Sequence, residues 1–205
     1  MSKDLAPSLI RELLHYDRET GKFFWKQRPV EMFAETSGRT AEHACANWNA
    51  RYAGAEALTA RTEDGYFRGQ VMGKPVKAHR VAWCIETGDW PEATIDHIDA
   101  NPSNNRWANL RAATQGQNNC NRMGAVVSSS RYKGVSWYER KKKWEAYIQI
   151  DGRKKSLGHF WEEAEAARVH DEWARIYHGE FARLNFPDLL IPETRPQPIQ
   201  EGFDL

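Results

Sequence analysis

Residues 144–160 constrain the fold of this chain more tightly than any other stretch. WEAYIQI alternates in hydrophobicity, with Trp144, Ala146, Ile148 and Ile150 on one side and Glu145, Tyr147 and Gln149 on the other. A period of two belongs to a half-buried β-strand and to no helix. Asp151-Gly152 follows at once, and that dipeptide tolerates the positive φ angles of a tight hairpin. The chain must therefore turn back, and Lys154–Phe160 is predicted to be the returning strand. Upstream, Tyr132–Tyr138 reads as a third strand, closed by a charged turn at Arg140–Lys143. Downstream, Glu162–His178 is predicted to be a helix, acidic in its first turn and ended by Gly179. Ala164, Ala167, Trp173, Ile176 and Tyr177 are the helix residues expected to cover the apolar side of the sheet. The other side is left polar and basic.

Charge follows the same division. The whole chain carries a net charge of only +1, which does not advertise a nucleic-acid partner. Residues 131–160, however, hold 9 Lys/Arg against 3 Asp/Glu, and residues 161–205 hold 4 against 10. Positive charge is thus concentrated on the predicted sheet. Binding of phosphates there should weaken as salt rises, through counterion release. At 205 residues one large or two small domains are expected. Cys45, Cys84 and Cys120 are odd in number and widely spaced, which argues against a thiol-bound zinc and against a disulfide scaffold. No apolar run of signal-peptide or membrane-spanning length is present, so a soluble protein with no membrane partner is expected.

Chemistry concentrates in residues 95–122, IDHIDANPSNNRWANLRAATQGQNNCNR. Asp96 and His97 are neighbours, so on a strand their side chains point to opposite sides. One can then serve a metal while the other faces a substrate. Asn109 lies twelve positions after His97, and Asn118 nine after that. A carboxylate, an imidazole and two carboxamides suit a hard divalent cation with a water nucleophile. Asparagines also favour turns, because they tolerate left-handed backbone. Asn101, Asn104, Asn119 and Asn121 are read in that way.

The stretch resembles the HNH nuclease motif in the form found in phage and mobile-intron endonucleases. Asp96-His97, Asn104-Asn105-Arg106, Asn109-Leu110-Arg111 and Gln117-Asn118-Asn119 carry the resemblance. It extends upstream through Ala78-His79-Arg80-Val81-Ala82-Trp83 and Gly88-Asp89-Trp90-Pro91 to LLHYDRETGKFFWKQRP near the N-terminus. The resemblance implies a β-hairpin followed by a helix, clasping one divalent ion. It makes His97 the general base, a role that suits a neutral imidazole of ordinary pKa ~6.5. It makes Asp96 and Asn118 the metal ligands, and Asn109 the residue that ties the hairpin loop and orients the base. The last motif letter is Asn rather than His, which shifts the preference towards Mg²⁺ or Mn²⁺. The implied products are a 5′ phosphate and a 3′ hydroxyl. Arg80 is a candidate DNA contact. His79 has two open readings, a phosphate contact beside Arg80 or a structural histidine near Trp83.

Residues 131–187 resemble the AP2 DNA-binding domain. Tyr132-Lys133-Gly134-Val135, Trp144-Glu145-Ala146, Leu157-Gly158-His159-Phe160, Glu163-Ala164 with Ala166-Ala167, and Ala182-Arg183-Leu184-Asn185-Phe186-Pro187 match it. The resemblance implies a three-stranded sheet laid in the major groove of double-stranded DNA. Its DNA-facing positions would be Lys133, Ser136, Tyr138, Tyr147, Gln149, Lys154 and Ser156. Several are Ser, Tyr or Gln where the better-known plant members carry Arg and Trp, so their target sequence is not transferable.

The expected fold is α+β, an N-terminal HNH (ββα-metal) nuclease domain plus a C-terminal AP2 domain, a three-stranded antiparallel sheet packed on one helix. The expected limits are 1–125 for the nuclease domain (ββα-metal core about 78–122), 126–130 for a linker, 131–187 for the AP2 domain and 188–205 for a disordered tail. A hairpin over residues 65–76 is expected to extend the nuclease sheet, with Trp25 and Trp48 in the core. The expected activity is a metal-dependent DNA endonuclease of homing or phage type. It would be phage- or mobile-element-encoded, act in the bacterial cytoplasm, and belong to an intron or genome-packaging context. The alternative is a DNA-binding regulator with an inactive HNH half. The oligomeric state stays open.

Overall fold

The computed structural model describes residues 5–122 and 129–188. The expected linker positions 126–128 and the tail from 189 lie outside the described residues. The fold is mixed, built from small antiparallel sheets and short helices, and it divides into two compact units at Ala113/Thr114.

The first unit opens with α1 (Pro7–Leu13), where proline sits at the helix start and its missing N–H costs nothing. A hairpin follows, β1 (Leu14–Asp17) against β2 (Lys22–Trp25). Its turn is held by the Asp17 carboxylate, which accepts hydrogen bonds from the Glu19 and Thr20 amides at 3.0 and 3.2 Å. Gly21 closes that turn at φ +75°, and a Cβ there would lie 2.6 Å from the Asn105 carbonyl carbon. Only glycine lets the hairpin approach the Asn105–Arg106 backbone so closely.

α2 (Ala41–Tyr52) buries none of its side chains. Its Trp48 meets Trp25 edge to face at 5.8 Å, and the Arg28 guanidinium lies 3.9 Å over the Trp48 ring. Trp25 packs against the core from a half-buried position, while Trp48 covers Trp25 and Arg28 rather than entering the core. β3 (Glu56–Ala57) adds to β2. β4 (Ala60–Arg61), β5 (Phe67–Val71) and β6 (Lys74–Lys77) then form a separate three-stranded sheet. The expected hairpin is there, turning at Met72-Gly73, yet it does not extend the later one. β6 runs straight into α3 (Ala78–Thr87), so the chain leaves the sheet as a helix. α3 buries Ala78, His79, Val81, Ala82 and Cys84, one helical face, and Gly88 ends it at φ +93°. Ile10, Leu13, Leu14, Val71 and Val81 form the centre of the core. β7 (Thr94–His97) and β8 (Leu110–Ala113) make a two-stranded hairpin that adds Ile95 and Leu110 to this core.

The second unit begins with α4 (Gln115–Asn121). Thr114 and Gln117 form a reciprocal capping box at its start. Asn119 and Asn121 are therefore helical rather than turn residues, because the cap satisfies the first-turn amides and outweighs the turn preference of asparagine. β9 (Val135–Tyr138), β10 (Lys143–Ile150) and β11 (Arg153–Phe160) form an antiparallel sheet in the order β11-β10-β9. Asp151 and Gly152 turn the β10–β11 hairpin at φ +51° and +76°. A bulge between Ala146 and Tyr147 inserts Leu157 on the opposing strand.

α5 (Glu163–His178) packs on this sheet through Ala166, Ala167, His170 and Ala174. Ala167 was expected there; Ala164 and Trp173 are only half-buried, and Ile176 and Tyr177 are exposed. The sheet admits alanines because the helix comes close. At Gly134, φ +72°, a Cβ would collide with the His170 ring at 1.8 Å. The buried Asp171 carboxylate then ties down the following segment, accepting from the Asn185 and Phe186 amides at 2.9 and 2.8 Å. No helix among the described residues is long and apolar enough to cross a membrane.

Candidate active site

The β7–β8 register sets Asp96 opposite Arg111 and His97 opposite Leu110. Asp96 is buried, and its Oδ2 accepts hydrogen bonds from Arg111 Nε and Nη2 at 2.9 and 2.8 Å. Arg111 balances a charge that would be costly to bury alone. His97 points the other way and is 4% exposed. Its Nε2 lies 3.1 Å from Asn105 Oδ1. Burial pushes the His97 imidazole below its ordinary pKa, against the Asn105 hydrogen bond and the Asp99 and Asp96 charges that pull it up. It is therefore neutral near pH 7 and can accept a proton.

The loop between the strands is held by its own polar side chains. Asn109 accepts from the Asp99 amide at 3.0 Å, and its Nδ2 donates to Asp99 Oδ1 and the Asn104 carbonyl at 2.9 and 2.8 Å. Asn104 Nδ2 donates to Asp99 Oδ2 at 2.7 Å. Burial raises the Asp99 carboxyl, but hydrogen bonds from Asn104, Asn101 and Asn109 outweigh it and hold the pKa below its ordinary value. Asn109 thus ties the loop, while Asn105 is the side chain that meets His97 Nε2. Nothing in the sequence separates Asn105 from its identical neighbour Asn104.

His79 reaches the same place from α3. It is 6% exposed, and its ring meets His97 edge-on at 5.3 Å. Tyr66 completes the group, 5.2 Å from His79 and 5.8 Å from His97. Trp83, the expected neighbour of His79, packs instead on Trp107 at 5.3 Å. His79 Nδ1 is buried and has no hydrogen-bond partner among the described residues. Burial, then the charges of His97, Lys77 and Arg80, push the His79 pKa down to about 3.

The remaining candidates are more dispersed. Arg80 donates to the Pro91 carbonyl at 2.8 Å, which ties α3 to the segment before β7. Asn118 lies on α4 in the second unit, its amide bonded to the Thr114 carbonyl at 3.0 Å. Lys133 donates to the Cys120 and Arg122 carbonyls at the end of α4, and burial lowers its pKa to about 8. Ser136, Tyr138, Tyr147, Gln149, Lys154 and Ser156 lie on neighbouring strands of the β9–β11 sheet. There Lys154 donates to Glu145 at 2.7 Å and sits 4.2 Å over the Tyr147 ring, while Tyr138 and His159 pair at 4.8 Å. Trp161, 71% exposed with Lys143 4.2 Å above it, is an aromatic on this unit outside the expected DNA-facing positions.

A family description for HNH endonuclease matches residues 76–120, from the end of β6 through nearly all of α4. Protein 3.8 of Escherichia phage T7 is 30% identical over 118 residues, spanning 54% of this chain and 92% of that protein. This chain belongs to the HNH endonuclease family. The Uncharacterized HNH endonuclease L560 of Acanthamoeba polyphaga mimivirus is 32% identical over 125 residues, 60% of this chain and 64% of that protein. A further similarity covers 65 residues of the AP2-like ethylene-responsive transcription factor TOE2 of Arabidopsis thaliana, at 38% identity. That match takes in 32% of this HNH endonuclease and 13% of the plant protein. No solved structure matches the chain.

Proposed function

We propose that this HNH endonuclease hydrolyses DNA with Mg²⁺ or Mn²⁺, that His97 is its general base, and that the AP2-like sheet chooses where it acts. The observation that carries the reading is the buried, neutral His97 beside Asp96, with Asn105 bonded to its Nε2. His97 takes a proton from water as the water oxygen bonds to phosphorus. The bond from phosphorus to the 3′ oxygen breaks, and that oxygen collects a proton from solvent. A 5′ phosphate and a 3′ hydroxyl result. Asp96 and Asn118 are the residues that would hold the ion, and a carboxylate with a carboxamide oxygen is the hard donor set that Mg²⁺ or Mn²⁺ prefers. When bound, the ion supplies charge stabilisation to the scissile phosphate and the leaving oxygen. Arg111 keeps Asp96 in one position, and the Asn109 knot keeps the loop in another.

Similarity to the AP2-like protein supports double-stranded DNA as the partner of the second unit. The reading surface is the polar face carrying Ser136, Tyr138, Tyr147, Gln149, Lys154 and Ser156. We leave Lys133 and Arg80 out of it, because backbone carbonyls already take up their charged ends. Relatedness to a phage protein supports a role in the bacterial host cytoplasm, encoded by a phage or mobile element.

Supercoiled plasmid and DNA from the cognate locus, incubated with Mg²⁺ or with EDTA, test the reading. Open-circle or linear product that requires both the ion and His97 is expected. Metal-dependent cleavage by His97→Ala would remove His97 from the base role. Mobility-shift binding with no cleavage of either DNA would point to a regulator that binds without cutting.

A further inference from the structure

We infer that Asn105, held from behind by the N-terminal hairpin, is the positioning residue that fixes the tautomer of His97. The inference rests on the reading of His97 as base. Asn105 is 2% exposed, and its Oδ1 faces His97 Nε2 at 3.1 Å. A carboxamide oxygen only accepts, so Nε2 must carry the hydrogen and the lone pair falls to Nδ1. The nitrogen that takes the proton from water is then Nδ1. With Oδ1 held towards His97, the other tautomer would set two lone pairs face to face in a buried place, an arrangement disfavoured by low local dielectric.

Position alone would not make Asn105 a reliable acceptor; its backbone is also clamped. The Tyr16 hydroxyl donates to the Asn105 carbonyl at 2.6 Å. The Gly21 turn presses on the Asn105–Arg106 peptide, and the Trp107 amide donates to the Arg18 carbonyl at 3.0 Å. All three tethers come from β1 and the turn that follows it, far from the motif in sequence. The hairpin therefore acts on the base through Asn105.

The experiment reads the tautomer directly and the rate separately. Long-range ¹H–¹⁵N correlation of the His97 ring, in the full chain at about pH 8, distinguishes Nε2–H from Nδ1–H. Wild type is expected as the Nε2–H tautomer. Asn105→Leu, close in size but without an acceptor, should give a mixture and lower kcat about ten- to a hundredfold with KM for DNA unchanged. Asn105→Asp keeps an acceptor and should restore the single tautomer and most of kcat. Tyr16→Phe should fall between wild type and Asn105→Leu. An Nδ1–H tautomer in wild type overturns the proposal whether or not any variant folds. So does Asn105→Leu with wild-type tautomer and kcat. If the Nε2–H tautomer is present while His97→Ala still cleaves, the base assignment fails and the tautomer assignment stands.

Discussion

His79 makes the stability of the first unit depend on pH in a direction that can be worked out. Its imidazole titrates near 6.5 in the unfolded chain and near 3 in the folded one. Between those values the unfolded state binds more protons, so stability is complete above the unfolded pKa and is lost as pH falls below it. Each pH unit in that window is worth about 1.4 kcal/mol. At pH 5 the loss through His79 is therefore about 2 kcal/mol. The perturbation is His79→Phe, which keeps a ring against Tyr66 and His97, removes the titration, and also removes the buried Nδ1 that lacks a partner. Urea unfolding of both proteins in EDTA, at pH 7.5 and pH 5, supplies the comparison. Wild type should lose about 2 kcal/mol more than the variant between the two pH values. Both will keep a residual slope from His97 and His170, whose pKa values burial also lowers. Equal losses in the two proteins would refute a neutral, buried His79.

Three further substitutions probe the rest of the framework. Asn109→Ala removes the hydrogen bonds to Asp99 and Asn104 and should cost about 2 kcal/mol in urea unfolding, with reduced plasmid cleavage. Gly134→Ala drives a methyl into the His170 ring and should destabilise the second unit by more than about 3 kcal/mol, read as a lowered Tm. Asp171→Ala strands the Asn185 and Phe186 amides and should cost about 3 kcal/mol by the same melt, while Asp171→Asn, which keeps one acceptor, should cost less.

Residues 144–160 were legible because two local rules agreed: strict alternation, and an Asp-Gly turn. The helix that follows was legible in extent and misread in facing. Its bulky Ile176 and Tyr177 look like core residues, but the sheet is approached too closely for them, and that closeness depends on Gly134 meeting His170. The hairpin carrying Asp96, His97 and Asn109 was legible through the family resemblance, and strand alternation added only that Asp96 and His97 face opposite ways. The role of Asn105 was not, because adjacent asparagines in a loop are distinguished only by what they touch. The partner that holds it, Tyr16, comes from a strand 89 residues earlier. His79 stands out in the sequence beside Arg80, yet its neighbours Tyr66 and His97 come from a loop and a strand elsewhere in the chain.

The clamp on Asn105 also limits what can be cut out of this protein. The family's sequence signature, residues 76–120, begins well after the β1–β2 hairpin. A fragment made of that signature alone would leave the Asn105 carbonyl without Tyr16 and the Trp107 amide without Arg18. The motif recurs in related proteins as a string of letters, but as polypeptide it is not a cartridge. A chimera that borrows it must borrow the hairpin too, or design another brace for the same carbonyl.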